Sequence, residues 1–261
     1  VFEAHTKPSR AARFVARRAH KVVVISRALK EEYVDAGVSE EKIIVAPDAV
    51  DIRQFDIDKN KTELREQLGL EKDKKIISYI GKYKTMGKPK GVDDLSIVFP
   101  QVLTSVQNAF LLLVGINKEE VSEVEETLHK AHIIESNYKI VTHIPQHEAF
   151  LYMKASDVLI MNYPNTPHYA LYMSPLKLFE YMASGTPIVT SDLSTIREVL
   201  NEQDTTFFTP DSTPALAESI LFALTHEREV QEKAHHAKQK AAGYTWEKRA
   251  ERILATLPHY E

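Results

Sequence analysis

Apolar residues in this chain come in short continuous runs separated by segments with helical spacing. Runs consistent with strands covered on both faces lie at Lys21–Ser26, Ile43–Pro47, Lys75–Gly81, Ala109–Gly115, Lys139–Thr142, Asp157–Met161, Thr186–Thr190 and Thr205–Phe208. Helical segments are predicted between and after them: Ala11–His20, Arg27–Ala36, Thr62–Leu68, Val92–Gln107, Lys118–His132, Glu148–Lys154, Pro175–Ser184, Ser194–Leu200, Pro214–Thr225, Glu227–Ala242 and Trp246–Leu257. Such alternation predicts an α/β fold with a Rossmann-like, doubly wound parallel sheet. The polar, turn-forming stretch after Pro47-Asp48 marks a boundary. The expected division is a partial α/β unit at 1–50, a hinge at 51–69, a complete α/β domain at 70–243, and a terminal helix at 244–261 that crosses back to the first unit.

The sharpest punctuation runs from Ser174 to Thr190. Ser174 suits an N-cap, Pro175 the first helical position, Gly185 the C-terminal stop, and Ile188-Val189-Thr190 a buried strand. Lys177 then occupies the third helical position, where a capping box would place Glu or Gln. A cation at the positive end of a helix makes sense if an anion binds there. Glu180 follows on the same face. Phosphate and sugar hydroxyls together fit this pair, as in a nucleotide; an ordinary surface ion pair is the alternative.

A second basic segment, Ile80-Gly-Lys-Tyr-Lys-Thr-Met-Gly-Lys-Pro-Lys-Gly91, follows a predicted strand and precedes a helix. Ligands of open α/β sheets bind at the carboxyl ends of strands. The segment carries four lysines and no acid, but its glycine spacing fits neither a Walker A loop nor a dinucleotide fingerprint. By itself it could equally be a basic surface loop.

Composition narrows the classes. With 261 residues, 43% hydrophobic and 27% charged, the chain is ordinary for a globular protein. It has no cysteine, which removes thiolate metal sites and favours a reducing, cytoplasmic setting. No apolar run approaches the ~20 residues of a membrane span. Residues 1–30 hold eight Lys/Arg and one acid, a charge of +7 that leaves −11 for the remainder of a chain totalling −4. The usual meaning of such a block is a solvated helix face; its functional readings are peripheral contact with an anionic membrane, at the inner face, an anionic ligand, or nucleic acid, the least supported because interleaved aromatics are missing. His147-Glu148 and His226-Glu227 lack the second histidine of a zinc helix, no Gly-x-Ser-x-Gly elbow occurs, and Asn60-Lys61-Thr62 matches a glycosylation acceptor.

Three blocks resemble the retaining GT-B glycosyltransferases: Val22–Lys30 with Lys42–Asp51, Tyr79-Ile-Gly-Lys82 with Lys90-Gly-Val92, and Ser174–Val189. The resemblance implies transfer of a sugar from a UDP- or GDP-linked donor to an acceptor hydroxyl on a glycan, lipid or small molecule. No metal or other cofactor is expected. It implies that Gly81, Lys82 and Lys90 hold the diphosphate, that Glu180 binds the ribose, and that Tyr172, Met173, Ser174, Pro175, Leu176 and Lys177 border phosphate and sugar. It places Ile144 in a base-contacting turn and His5 facing the donor sugar, with His5, Lys82 and Lys90 as catalytic residues. Four residues at three places depart from the family pattern. Tyr172 stands where the family often has a first Glu, Lys82 replaces an Arg, and Asp48-Ala49 replaces Asn-Gly. The resemblance starts late in the family's first domain, so the chain is expected to bind a donor yet lack most of an acceptor side. A non-catalytic nucleotide-sugar module, a phosphorylase or a sugar-nucleotide epimerase are the other readings.

Overall fold

A computed structural model describes residues 1–85, 88–89 and 91–257, with backbone only at 85, 88 and 89. The chain opens with a small parallel sheet of β1 (Phe2–Ala4), β2 (Val22–Val24) and β3 (Ile43–Val45), joined by α1 (Arg10–Arg18) and α2 (Arg27–Asp35). Strand β1 was not predicted; three residues give too little pattern. Ser9 and Ser26 cap α1 and α2 by accepting hydrogen bonds from Ala12 and Leu29 amides. Ser26 therefore belongs to a cap rather than to the end of the expected strand. Ala4, Ala16, Val22, Leu29 and Tyr33 form the core beneath these helices.

A turn at Ile52–Phe55 leads to α3 (Lys61–Gln67). Asn60 and Glu63 form a reciprocal capping box at its start, so the Asn-Lys-Thr triplet serves local backbone satisfaction here. Then come β4 (Lys75–Ile80), a short antiparallel pair β5 (Lys84–Thr85) and β6 (Lys88–Pro89), α4 (Val92–Ser105), β7 (Ala109–Ile116), α5 (Val121–Lys130), β8 (Tyr138–Thr142), α6 (Gln146–Ala155) and β9 (Val158–Met161). The chain continues through α7 (Pro167–Leu171), α8 (Leu176–Ser184), β10 (Ile188–Ser191), α9 (Ser194–Arg197), β11 (Thr206–Phe208), α10 (Thr213–Thr225), α11 (Glu227–Ala241) and α12 (Trp246–Leu254).

The large sheet has the order β11-β10-β9-β4-β7-β8, all parallel. Along β4, Ile76 and Ile80 face one core with α3, α6, α8 and α11, while Ile77 and Tyr79 face the other with α4, α5 and α10. This is the doubly wound arrangement expected from continuous apolar strands. Strand order reverses beside β4: the chain moves outward through β7 and β8, then returns to place β9 on the opposite side. The carboxyl ends of β4 and β9 thus flank a topological switch point, where such sheets bind ligands.

Two polar devices stiffen the assembly. Arg65 on α3, 5% exposed, donates to the carbonyls of Ala155, Lys72 and Lys74 and to Asp157 Oδ2 at 2.6 Å. Asp157 Oδ2 also accepts the Ile76 amide, so one ion pair clamps α3 to the start of β4. At the other end, α12 returns to the small sheet. Arg249 donates to Pro47 O at 3.0 Å and to Glu3 Oε1 at 2.6 Å, and the Val50 amide reaches Tyr244 O.

Candidate functional site

At the carboxyl end of β4 the backbone turns through Gly81, whose φ of +150° is rare for L side chains. A Cβ there would lie 2.7 Å from the Lys177 ammonium and 3.1 Å from its Cε. Lys177 extends from the first turn of α8 across the ring of Tyr79, 4.2 Å from its centroid, with Tyr163 at 5.8 Å. The absent side chain at 81 is thus what lets a cation reach the switch point. Cation–π contact with partly desolvated rings holds it there.

Buried tyrosines wire this arrangement together. Tyr79 donates to Lys82 O at 2.9 Å, fixing the turn after β4. Tyr181, next to Glu180 on α8, accepts the Ile80 amide at 3.1 Å. Burial, the dominant influence, pushes both phenols well above their ordinary range, so they act as neutral hydrogen-bonding groups. Neither Tyr79, Tyr163 nor Tyr181 was singled out from sequence; aromatic residues in core strands carry no signal that separates packing from a site. Gln146 was also missed. At the start of α6 its amide donates to Glu180 Oε1.

Glu180 is half-buried. Burial raises its carboxyl above the usual range, while the Gln146 hydrogen bond and the Lys177 charge oppose the rise. Its hydrogen bond goes to Gln146 and it forms no ion pair with Lys177, so the simple surface-pair alternative does not describe these two residues. An acceptor carboxylate and an ammonium stand on consecutive turns of one helix, a pair that suits a ligand with hydroxyl donors and an anionic group.

The expected cap at Ser174 is corrected by the structure. Helix α8 begins at Leu176, and Pro175 in an extended conformation is its N-cap, without a side-chain hydrogen bond. Ser174 Oγ instead accepts the Asp48 amide at 2.7 Å. The hydroxyl is spent on the segment after β3, and Lys177 becomes the second helical residue rather than the third.

Tyr172 is likewise engaged elsewhere. Its hydroxyl donates to Glu32 Oε1 at 2.8 Å, and Lys7 sits over its ring while pairing with Glu32 at 2.7 Å. Its side chain joins the core of the small sheet. Neighbouring ties run the same way: Ser26 Oγ donates to Leu171 O at 2.6 Å, and Glu198 accepts the Arg27 amide. Segment 171–174 therefore binds the carboxyl ends of β2 and β3. Met173 is buried, whereas Leu176 is largely exposed at the helix start.

Lys82 is exposed beside Gly81. Lys84, from the same basic segment, is committed to Glu123. Lys90 lies outside the described residues. Ile144 packs against the core on the α8 side of the sheet. His5, just past β1, is exposed, with Nε2 3.0 Å from Glu3 Oε1. It is not hydrogen-bonded to the Gly81–Lys177 group. It lies near half-buried Asp48, whose carboxyl burial raises and nearby His5 and Arg249 lower. Among the described residues no cluster of three or more His, Asp or Glu could hold a metal ion.

Comparison with known proteins places this geometry in context. The chain is 25% identical over 228 residues to trehalose synthase from Thermococcus litoralis, an alignment that covers 80% of this chain and 51% of that protein. It is 22% identical over 200 residues to the putative teichuronic acid biosynthesis glycosyltransferase TuaC of Bacillus subtilis, covering 76% and 45%. It thus spans about half the length of these relatives. Among solved structures, Anabaena HepE in complex with UDP and glucose superposes with a TM-score of 0.76 at 18% identity, over 97% of this chain and 70% of that one. Sucrose-phosphate synthase from Thermosynechococcus elongatus gives 0.75 at 21%, over 97% and 65%. These two share the fold. The model of the family "Glycosyl transferases group 1" matches residues 60–243, well over half of the sequence, and the chain belongs to that family.

Proposed function

We propose that this chain is the donor-binding part of a glycosyltransferase that moves a sugar from a nucleoside diphosphate to an acceptor hydroxyl, with retained configuration. The observation that carries the reading is the convergence at the switch point of Gly81, Lys177 and the start of α8, with Glu180 one turn further. Two groups must be recognised in such a donor. Lys177, Lys82 and the first amides of α8 suit the diphosphate, and Glu180, oriented by Gln146, suits the ribose hydroxyls. The resemblance assigns Lys90 to the diphosphate as well.

Breaking the anomeric C–O bond leaves negative charge on the departing diphosphate. Fixed cations at that position lower the barrier because they need no reorganisation as charge develops. Lysines there supply positive charge that a divalent metal would otherwise provide, which supports donor binding without one. The resemblance places His5 opposite the donor sugar. An acceptor carried at an anionic membrane would suit the basic N-terminal segment.

The reading is tested by calorimetric titration of the chain with UDP, GDP, their glucose conjugates and free uridine. Tight binding of one diphosphate series, with weak nucleoside binding, supports it; failure of all diphosphates to bind overturns it. UDP is the first probe because HepE holds it in a similar fold. Tyr172 favours a second reading, a nucleotide-sugar-binding module without transfer. Its hydroxyl is tied to Glu32 at the position where the family often presents a carboxylate. Donor binding without donor hydrolysis, also in a chain extended at its N-terminus, would select that reading.

A further inference from the structure

The eight cations of the first 30 residues are not equivalent. Lys7 and Lys30 are neutralised by Glu32 and Glu40 at 2.7 Å each. Arg17 is spent on the Ala36 carbonyl, which it reaches through two nitrogens at 3.1 and 2.6 Å. Like Arg17, Arg10, Arg13, Arg18 and Lys21 have no ion-pair partner among the described residues, although Arg13 lies close enough to Glu32 to lower its carboxyl. Arg13 and Lys21 donate only to backbone carbonyls, of Pro8 and Glu41. Arg18 lies over the Phe14 ring, 3.6 Å from its centroid.

All four belong to α1 or to the residues just after it. The helix turns Ala16 and Ala19 toward the sheet core. Phe14 therefore points away from the core, 59% exposed, with Val15 beside it at 47%. Arg10 and Arg18 stand one turn to either side of Phe14. A large aromatic on the outer face of a helix gains nothing from folding. Arg10 and Arg18, without an ion-pair partner among the described residues, raise the charge density of the same face.

We infer that this outer face of α1 docks on an anionic lipid bilayer, with Phe14 and Val15 entering the interface and Arg10, Arg13, Arg18 and Lys21 meeting lipid phosphates. Charge complementarity selects an acidic surface, and the apolar pair selects lipid over nucleic acid, whose backbone offers it no apolar seat. Helices of this make-up lie in the plane of the interface. The inference is independent of the donor site, because docking needs no nucleotide.

Co-sedimentation of the chain with vesicles tests it. Equimolar phosphatidylcholine and phosphatidylglycerol are compared with phosphatidylcholine alone, at low and high salt. Binding is expected only to the anionic vesicles and is weakened by salt. Arg10→Gln with Arg18→Gln is expected to weaken partitioning roughly 30-fold, and Phe14→Ser roughly tenfold. Lys30→Gln, which removes a cation already paired, is expected to change nothing. All these positions are exposed or peripheral, and unchanged circular dichroism melts confirm folding. Equal binding to both vesicles overturns the inference, as does binding insensitive to the arginine pair. So does concentration-dependent sedimentation without vesicles, which would assign the face to a second copy of the chain, or tighter binding to duplex DNA than to anionic vesicles.

Discussion

Replacing Lys177 by Met separates the charge of this side chain from its packing. The stem keeps its path over Tyr79, and a thioether beside an aromatic ring recovers much of the cation–π contact it replaces, about 0.3–1.5 kcal/mol against about 0.5–2 kcal/mol. Folding stability should therefore change by less than about 1 kcal/mol. Diphosphate binding should suffer more. A hydrogen bond to a charged group contributes about 1.5–3 kcal/mol, which is a roughly 10- to 150-fold loss in affinity. Titration with UDP and with uridine reads the two halves of the site separately, and the loss should appear for UDP alone. Gly81→Ala reaches the same end from the opposite side. Its Cβ would lie 2.7 Å from the ammonium and force it away, at a φ that also strains alanine. Equal losses for UDP and uridine, or unchanged UDP affinity in Lys177→Met, would show that Lys177 serves packing and does not touch phosphate.

Further outcomes follow from other groups. Glu180 must be ionised to accept ribose hydroxyls, and burial raises its pKa, so UDP affinity should fall on acidification already above the ordinary carboxylate range. Glu180→Gln should bind more weakly and lose that dependence, and a wild-type profile flat down to pH ~4 would contradict the assignment. Arg65→Ala should cost about 1–3 kcal/mol in chemical denaturation, because it leaves buried carbonyls unpaired while Asp157 keeps Lys61 at 3.0 Å and the Ile76 amide. Surrounding cations and the Ile76 amide hold the Asp157 carboxyl below its usual value despite burial, so its contribution is complete above pH ~4 and is lost as pH falls through the lowered pKa; a melt independent of acid in that window would refute the clamp. UDP affinity should survive a strong chelator, and a loss restored by Mg²⁺ or Mn²⁺ would refute the lysine-based neutralisation.

The large sheet was legible because buried strands write continuous apolar runs. Ile76 to Ile80 or Leu111 to Val114 need no tertiary information to be recognised. What escaped were elements too short for periodicity, such as β1 and α7, and contacts set by distant segments. Nothing near Ser174 announces that its hydroxyl serves the Asp48 amide, 126 residues away, and local rules therefore put it at the helix cap. Lys177 drew notice because local rules set it at a capping-box position that does not suit it, a position the structure moves to the second helical residue. The supports of Lys177 and Glu180, namely Tyr79, Tyr181 and Gln146, obey every local rule, and only the fold brings them together.

Segment 171–174 spans two jobs. Tyr172 and Ser174, which the resemblance sets beside phosphate and sugar, hold Glu32 and Asp48 through their hydroxyls, and the preceding Leu171 carbonyl holds Ser26. The two neutral hydrogen bonds contribute only about 0.5–1.5 kcal/mol each, and the one to the Lys7-paired Glu32 carboxylate more, so together they can be exchanged at modest cost. A donor that shifts this segment must therefore change how firmly the small sheet is held. By reciprocity, a ligand that grips the small sheet more firmly in one position of this segment than in the other changes donor affinity by the same factor as the donor changes its own.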